Sequence, residues 1–186
     1  MKNRFIFFSI FSVATFFASA QNSGVYMNAS DFASGKLTYE INCSTEKHKI
    51  KLNEFLNMDY ITVVHDKQTH QLQKNKIFGY KDCNDINYRF AGNSHYVILN
   101  PTEKILLYKH TMNASKNQKE AVNYYFSLSG TGEVQALTLM NLKRAFPDNH
   151  KLHDALDAEF TSDDQLAQYD SFHKQYKVNR LLESTI

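Results

Sequence analysis

The sharpest chemical grouping in the chain is His150-x-x-His153-Asp154-x-x-Asp157. Residues spaced i, i+3, i+4 and i+7 share one face of a helix. Two imidazoles and two carboxylates on one face are donors of the kind that hold zinc or a related ion. The competing account is a solvated helix face. The four residues lie opposite an apolar stripe of Leu152, Leu156 and Phe160, where any amphipathic helix carries its polar side chains. The His-Glu-x-x-His pattern of zinc proteolysis is missing.

Arg89 is a second candidate. It stands between Tyr88 and Phe90 on a predicted strand, so its side chain points away from both rings. A guanidinium there can clamp a carboxylate or phosphate with two parallel hydrogen bonds. It can equally make a structural salt bridge or cover apolar surface with its stem. Tyr124 and Tyr125 are a third candidate, as rings that stack a sugar; strand alternation sends them to opposite faces. The chain has 11 Tyr but no Trp, which weakens the sugar reading.

The other histidines are scattered, and no Gly-x-Ser-x-Gly elbow occurs. Gly130-Thr131-Gly132 lacks the remainder of a phosphate-binding fingerprint and reads as a turn. No cofactor is expected from these residues.

Two styles of sequence position these candidates. Short β-type runs alternate with polar turns from about residue 25 to residue 137. Strands are expected at 49–52, 60–65, 69–73, 77–81, 87–90, 96–99, 105–110 and 123–128, with a short return at 134–137. A helical turn is expected near Asp31, capped by Ser30 and closed by Gly35. The polar stretch 113–120 reads as an exposed loop. From Thr138 the period becomes helical. Leu139, Leu142, Ala145 and Phe146 form one helix, ended by Pro147. The His150–Phe160 stretch forms a second. A third is expected to start at Ser162-Asp163-Asp164 and run through Leu166, Tyr169, Phe172 and Tyr176 toward Leu182. The predicted class is α+β: an antiparallel, β-rich, sandwich- or barrel-like part, then three C-terminal helices at about 138–183.

The first twenty residues bound the compartment. Lys2 and Arg4 precede an apolar run from Phe5 to Phe17, and Ala18-Ser19-Ala20 precedes Gln21. That order is a secretory signal peptide cleaved after Ala20. Phe5 to Ala20 is only 16 residues, short of the about 20 that span a bilayer. Residues 21–186 are then expected as one α+β domain with no membrane insertion. The leader holds two of the 21 basic residues and none of the 19 acidic ones, so the remainder balances at 19 against 19. A neutral chain without a basic stripe is not expected to bind nucleic acid. An oxidising compartment makes a Cys43–Cys83 disulfide the preferred state, with two free buried thiols as the alternative.

Several stretches resemble a known group. They are Gly24-Val25-Tyr26-Met27 with Asp31-Phe32, Phe78-Gly79-Tyr80 with Tyr88-Arg89-Phe90, Tyr124-Tyr125-Phe126-Ser127, Leu137 to Asp154, and Tyr169-Asp170 with Tyr176-Lys177-Val178-Asn179. In this order they resemble small secreted proteins of the Bacteroidota that carry no assigned activity. Gln21 directly after an Ala-x-Ala site also fits exported proteins of that phylum. The resemblance implies a periplasmic or extracellular location in a Gram-negative cell and supplies no catalytic residues. The expected function is a non-enzymatic binding or interaction module of the cell envelope, with an envelope protein or a glycan as partner. The alternative is a hydrolase of envelope or extracellular polymers whose site is dispersed in the sequence.

Overall fold

The computed structural model describes residues 21–46, 49–54, 57–112 and 121–185. The expected leader (1–20) and the expected loop at 113–120 lie outside them.

The first strand, β1 (Asn22–Tyr26), is short because Asn28 starts a helix two residues later. The Asn28 side chain accepts from Asp31 N at 2.9 Å and caps α1 (Ala29–Ser34), which Gly35 closes at φ +69°. The cap is therefore Asn28, not the expected Ser30, which lies inside the helix. The chain returns as β2 (Thr38–Asn42) and then leaves for a small sheet of β3 (Lys49–Lys51), β4 (Tyr60–His65) and β5 (Gln68–Gln73). A 3-10 turn at Lys74–Lys76 leads back to β6 (Gly79–Lys81). From there the chain meanders through β7 (Asn87–Ala91), β8 (Ser94–Ile98), β9 (Leu106–Met112), β10 (Ala121–Ser127) and β11 (Gln135–Ala136).

These strands make an eight-stranded antiparallel sheet in the order β11-β10-β9-β8-β7-β6-β1-β2. Its end strands, β11 and β2, are not paired with each other among the described residues, so the sheet is open rather than barrel-like. The fold class is α+β. β1 and β2 were not expected as strands.

The C-terminal part contains α2 (Leu139–Ala145) and α3 (His150–Glu159), capped by Thr138 and Asn149. The expected long third helix is not formed. Residues 163–165 make a 3-10 turn, β12 (Tyr169–Asp170) pairs with β13 (Gln175–Tyr176), and α4 begins only at Lys177 and runs to Thr185. The Asp170 carboxylate accepts from Phe172 N and His173 N, which bends the chain into a hairpin instead. No described helix is long and apolar enough to cross a membrane.

Register sorts the large sheet into two faces. Leu107 and Phe126 point one way and pack under Leu142, Leu152, Leu156, Val178 and Leu182 of the three helices. On the same face at the other end, Val25, Tyr80 and Phe90 pack under Ile61 and Val63 of the small sheet. The opposite face carries Tyr26, Ile98, Leu106 and Tyr108, with Phe32 of α1 stacked on Phe78 at 4.7 Å. Gly79 permits the β6–β7 approach: a Cβ there would lie 1.8 Å from the Tyr88 carbonyl oxygen.

Cys43 and Cys83 form a disulfide, Cα to Cα 5.7 Å. It ties the turn after β2 to the turn between β6 and β7.

Candidate functional site

The α4 sequence sets Asn179, Leu182 and Glu183 at i, i+3 and i+4, on one side of the helix. Val178, Asn179 and Leu182 are buried, which fixes the helix against the sheet. The facing wall is the loop between β8 and β9. Asn100 builds it from within: its Oδ1 accepts from Leu107 N at 2.6 Å, and its Nδ2 donates to Ile105 O at 2.9 Å. Asn179 Nδ2 donates to the same carbonyl at 3.0 Å. Both lone pairs of Ile105 O are thereby used, and α4 is joined to a loop 74 positions earlier.

Between these walls lies a cavity of about 360 Å³. Ile105, Leu128, Phe146 and Leu182 supply its apolar surface. Glu103, Lys104, Asn179 and Glu183 supply its polar groups. An apolar cavity with few polar groups is the usual form of a small-molecule site.

The polar groups are unusually arranged. Asn179 is 3% exposed, and its Oδ1 has no hydrogen-bond partner among the described residues. The amide cannot turn over to change this, because Oδ1 would then face the Ile105 carbonyl. An acceptor left in this state costs about 1–3 kcal/mol. The Glu103 and Glu183 carboxyls both line the cavity, where the two acids influence each other. Burial, and then the Glu183 carboxyl, raise the Glu103 pKa above the ordinary carboxylate value. A second cavity, of about 570 Å³, lies beside Phe32, Leu106 and Gly130, and Glu103 borders it too.

None of the residues singled out in the sequence lines the first cavity. Arg89 is buried at 9% exposure and is held by its own fold. Its Nη1 donates to Tyr108 Oη at 2.6 Å and Ser127 Oγ at 3.0 Å; its Nη2 donates to Gly132 O at 2.6 Å. The guanidinium also lies over the Phe78 and Tyr108 rings, at 5.4 and 5.6 Å. It pins the 129–132 turn to the sheet rather than presenting a fork to a ligand. It does point away from Tyr88 and Phe90, as alternation predicts.

Tyr124 packs against the helical core, whereas Tyr125 meets Tyr96 edge-on at 5.0 Å on the other face. Both are partly buried, and the pair does not form one stacking surface.

The His150, His153, Asp154 and Asp157 side chains have separate roles. His153 Nε2 lies 3.1 Å from Lys143 O and 2.9 Å from Phe146 O, at the end of α2. Asp157 pairs with Lys143 Nζ at 2.5 Å. His150 and Asp154 are exposed. Among the described residues no group of three or more His, Cys, Asp and Glu could hold a metal ion. Through Phe146, His153 instead supports one wall of the cavity.

The sequence reading singled out neither Asn179 nor Glu183 as a site residue, and Glu103 is 80 positions from Glu183 with nothing in the sequence to join them. The chain matches no protein-family model, no curated protein and no solved structure.

Proposed function

We propose that this chain is an exported binding module of the cell envelope that holds a small, mostly apolar ligand against α4. The observation that carries this reading is the apolar cavity between α4 and the β8–β9 loop. Export is supported by the order of residues 1–20 and by the Cys43–Cys83 disulfide, which suits an oxidising compartment. The sequence resemblance to secreted Bacteroidota proteins points the same way.

Two experiments test it. The full precursor is expressed in a Gram-negative host, and the periplasmic product is sequenced from its amino terminus. Gln21 as the first residue is expected; an intracellular product that keeps residues 1–20 overturns export. The mature product is then titrated with 1-octanol and followed by amide chemical shifts. Changes confined to the neighbourhood of Ile105, Leu128, Phe146 and Leu182 are expected. No change, or changes spread over the sheet, removes the cavity reading.

The two carboxyls of Glu103 and Glu183 at the cavity favour one second reading, a hydrolase of extracellular polymers. A pair of carboxyls is the working group of an acid peptide hydrolase. Peptide turnover at acid pH that is lost in Glu103→Gln would establish this reading, and a blank peptide screen would remove it.

A further inference from the structure

Three separately held segments meet on the α1 side of the large sheet. α1 is fixed by its Asn28 cap and by Phe32, which stacks on Phe78 at 4.7 Å. The β8–β9 loop is held from within by the Asn100 side chain. The 129–132 turn is held from below: Arg89 Nη2 donates to Gly132 O at 2.6 Å, and Ser127 Oγ donates to Ser129 O at 2.7 Å. Gly130 lets this turn close on α1, since a Cβ there would lie 3.1 Å from the Ala29 Cβ. Between the three lies the second cavity, a cleft of about 570 Å³, within the size range of ligand sites. Buried polar networks rigidify what they hold, so the walls of this cleft are formed in advance.

The lining mixes apolar surface with hydroxyls. Phe32 and Leu106 supply apolar surface. Phe78 stacks on the Phe32 ring, yet the ring stays partly exposed and borders the cleft. Ser30, Thr102 and Thr131 bring exposed hydroxyls, each able to donate and to accept. Glu103 is the one charged side chain among the described residues of the lining. Its carboxylate accepts O–H donors in strong, charge-assisted hydrogen bonds.

These groups disfavour the simpler ligand classes. A phosphate or carboxylate would meet an acid and no cation among the described lining residues. A hydrocarbon would strip water from three hydroxyls and a carboxylate and return no hydrogen bond. A pyranose satisfies both halves, with C–H groups on a ring face and hydroxyls around its rim. We infer that this cleft binds a neutral saccharide, with Phe32 under the C–H face of one sugar ring and Thr102, Thr131 and Glu103 at its hydroxyls. Only hydrogen bonds and apolar contacts form. The α4 cavity, with Phe146 and Leu182 in its wall, is a different site.

The test titrates the mature protein with cellotriose, maltotriose, tri-N-acetylchitotriose and the acidic trigalacturonate at millimolar concentration, followed by amide chemical shifts. At least one neutral trisaccharide is expected to move the signals of Phe32, Thr102, Gly130 and Thr131, and trigalacturonate to move none of them. Phe32→Leu keeps the apolar packing but removes the aromatic face, and should weaken that saccharide about fivefold. Thr102→Val/Thr131→Val keeps side-chain size at two exposed positions and should weaken it about tenfold. Melting curves of both variants check the fold, and the threonine variant decides if Phe32→Leu does not fold. No response to any of the three neutral trisaccharides, or a response confined to other parts of the chain, overturns the inference. So does trigalacturonate binding as tightly as the best neutral trisaccharide, or an affinity unchanged in the folded variants. The 1-octanol titration reads the α4 cavity through Phe146 and Leu182, so either site can fail without the other.

Discussion

Arg89 Nη1 donates to Tyr108 Oη at 2.6 Å across the large sheet, although the two residues sit on strands separated by β8. Tyr108 is fully buried, and its hydroxyl also exchanges a hydrogen bond with Ser127 Oγ at 2.7 Å. The guanidinium is thus the centre of a closed polar network under α1, between the Phe78 and Tyr108 rings.

A network of this kind makes Arg89 a stability residue. Arg89→Met should lower the unfolding free energy by about 2–4 kcal/mol, since Gly132 O and Tyr108 Oη lose a charged donor in a buried site. Tyr108→Phe should lower it by about 1.5–3 kcal/mol, because the bond it removes is charge-assisted. Urea denaturation measures both. A wild-type midpoint for Arg89→Met would return Arg89 to the list of ligand clamps.

The disulfide makes a separate prediction. Cys43 and Cys83 are 40 positions apart, and closing a loop of that size restricts the unfolded chain by about 4 kcal/mol. Cys43→Ser/Cys83→Ser should therefore melt about 10 °C lower than the oxidised protein. A reductant should reproduce the shift in the wild type and do nothing to the variant. Equal melting temperatures for oxidised protein and variant would show that the pairing adds no stability.

How far these features were readable in the sequence depended on whether one period fitted one structure. Strand 60–65 was read to the residue because Ile61 and Val63 alternate with partly exposed neighbours. Helices α2 and α3 were read because their apolar residues recur at helical spacing. The spacing of Tyr169 and Tyr176 was misleading. An i, i+7 pair lies on one helix face, but the same two residues face each other across a tight hairpin, with rings 5.2 Å apart. Phe172, expected on the apolar stripe, is 87% exposed at the hairpin tip. β1 was missed because Asn22-Ser23-Gly24 has the composition of a turn; burial between β2 and β6 overrides that propensity. The Glu103–Glu183 pair was not readable at all, since only the packing of α4 against the β8–β9 loop brings it together.

The His153 geometry separates a structural imidazole from a metal ligand. Its Nε2 faces two main-chain oxygens at the end of α2. His153→Ala should cost about 1–2 kcal/mol by leaving those oxygens without that partner, while His150→Ala, at an exposed position, should stay within about 0.5 kcal/mol. Zinc and a chelator should both leave the wild-type melting curve unmoved. A zinc-dependent rise that His150→Ala abolishes would restore the metal reading.

The carboxyl pair gives the protein a pH dependence with a definite sign. Glu103 has a raised pKa in the folded protein, from burial and then from Glu183, against an ordinary value of 4.5. The folded chain therefore holds this proton more tightly than the unfolded chain does. The stabilisation is fully present below the ordinary value and is lost as pH rises through the folded value, where two carboxylates face each other. Glu103→Gln keeps a donor toward Glu183 at every pH and removes the like-charge contact. At neutral pH the variant should melt about 1–2 °C above the wild type, a size appropriate to partly solvated charges. The gain should shrink to nothing as pH falls below the ordinary value, where the wild-type pair carries its proton in both states. Melting curves from pH 4 to 8 read this directly. A constant offset would mean that Glu183 does not act on the Glu103 carboxyl.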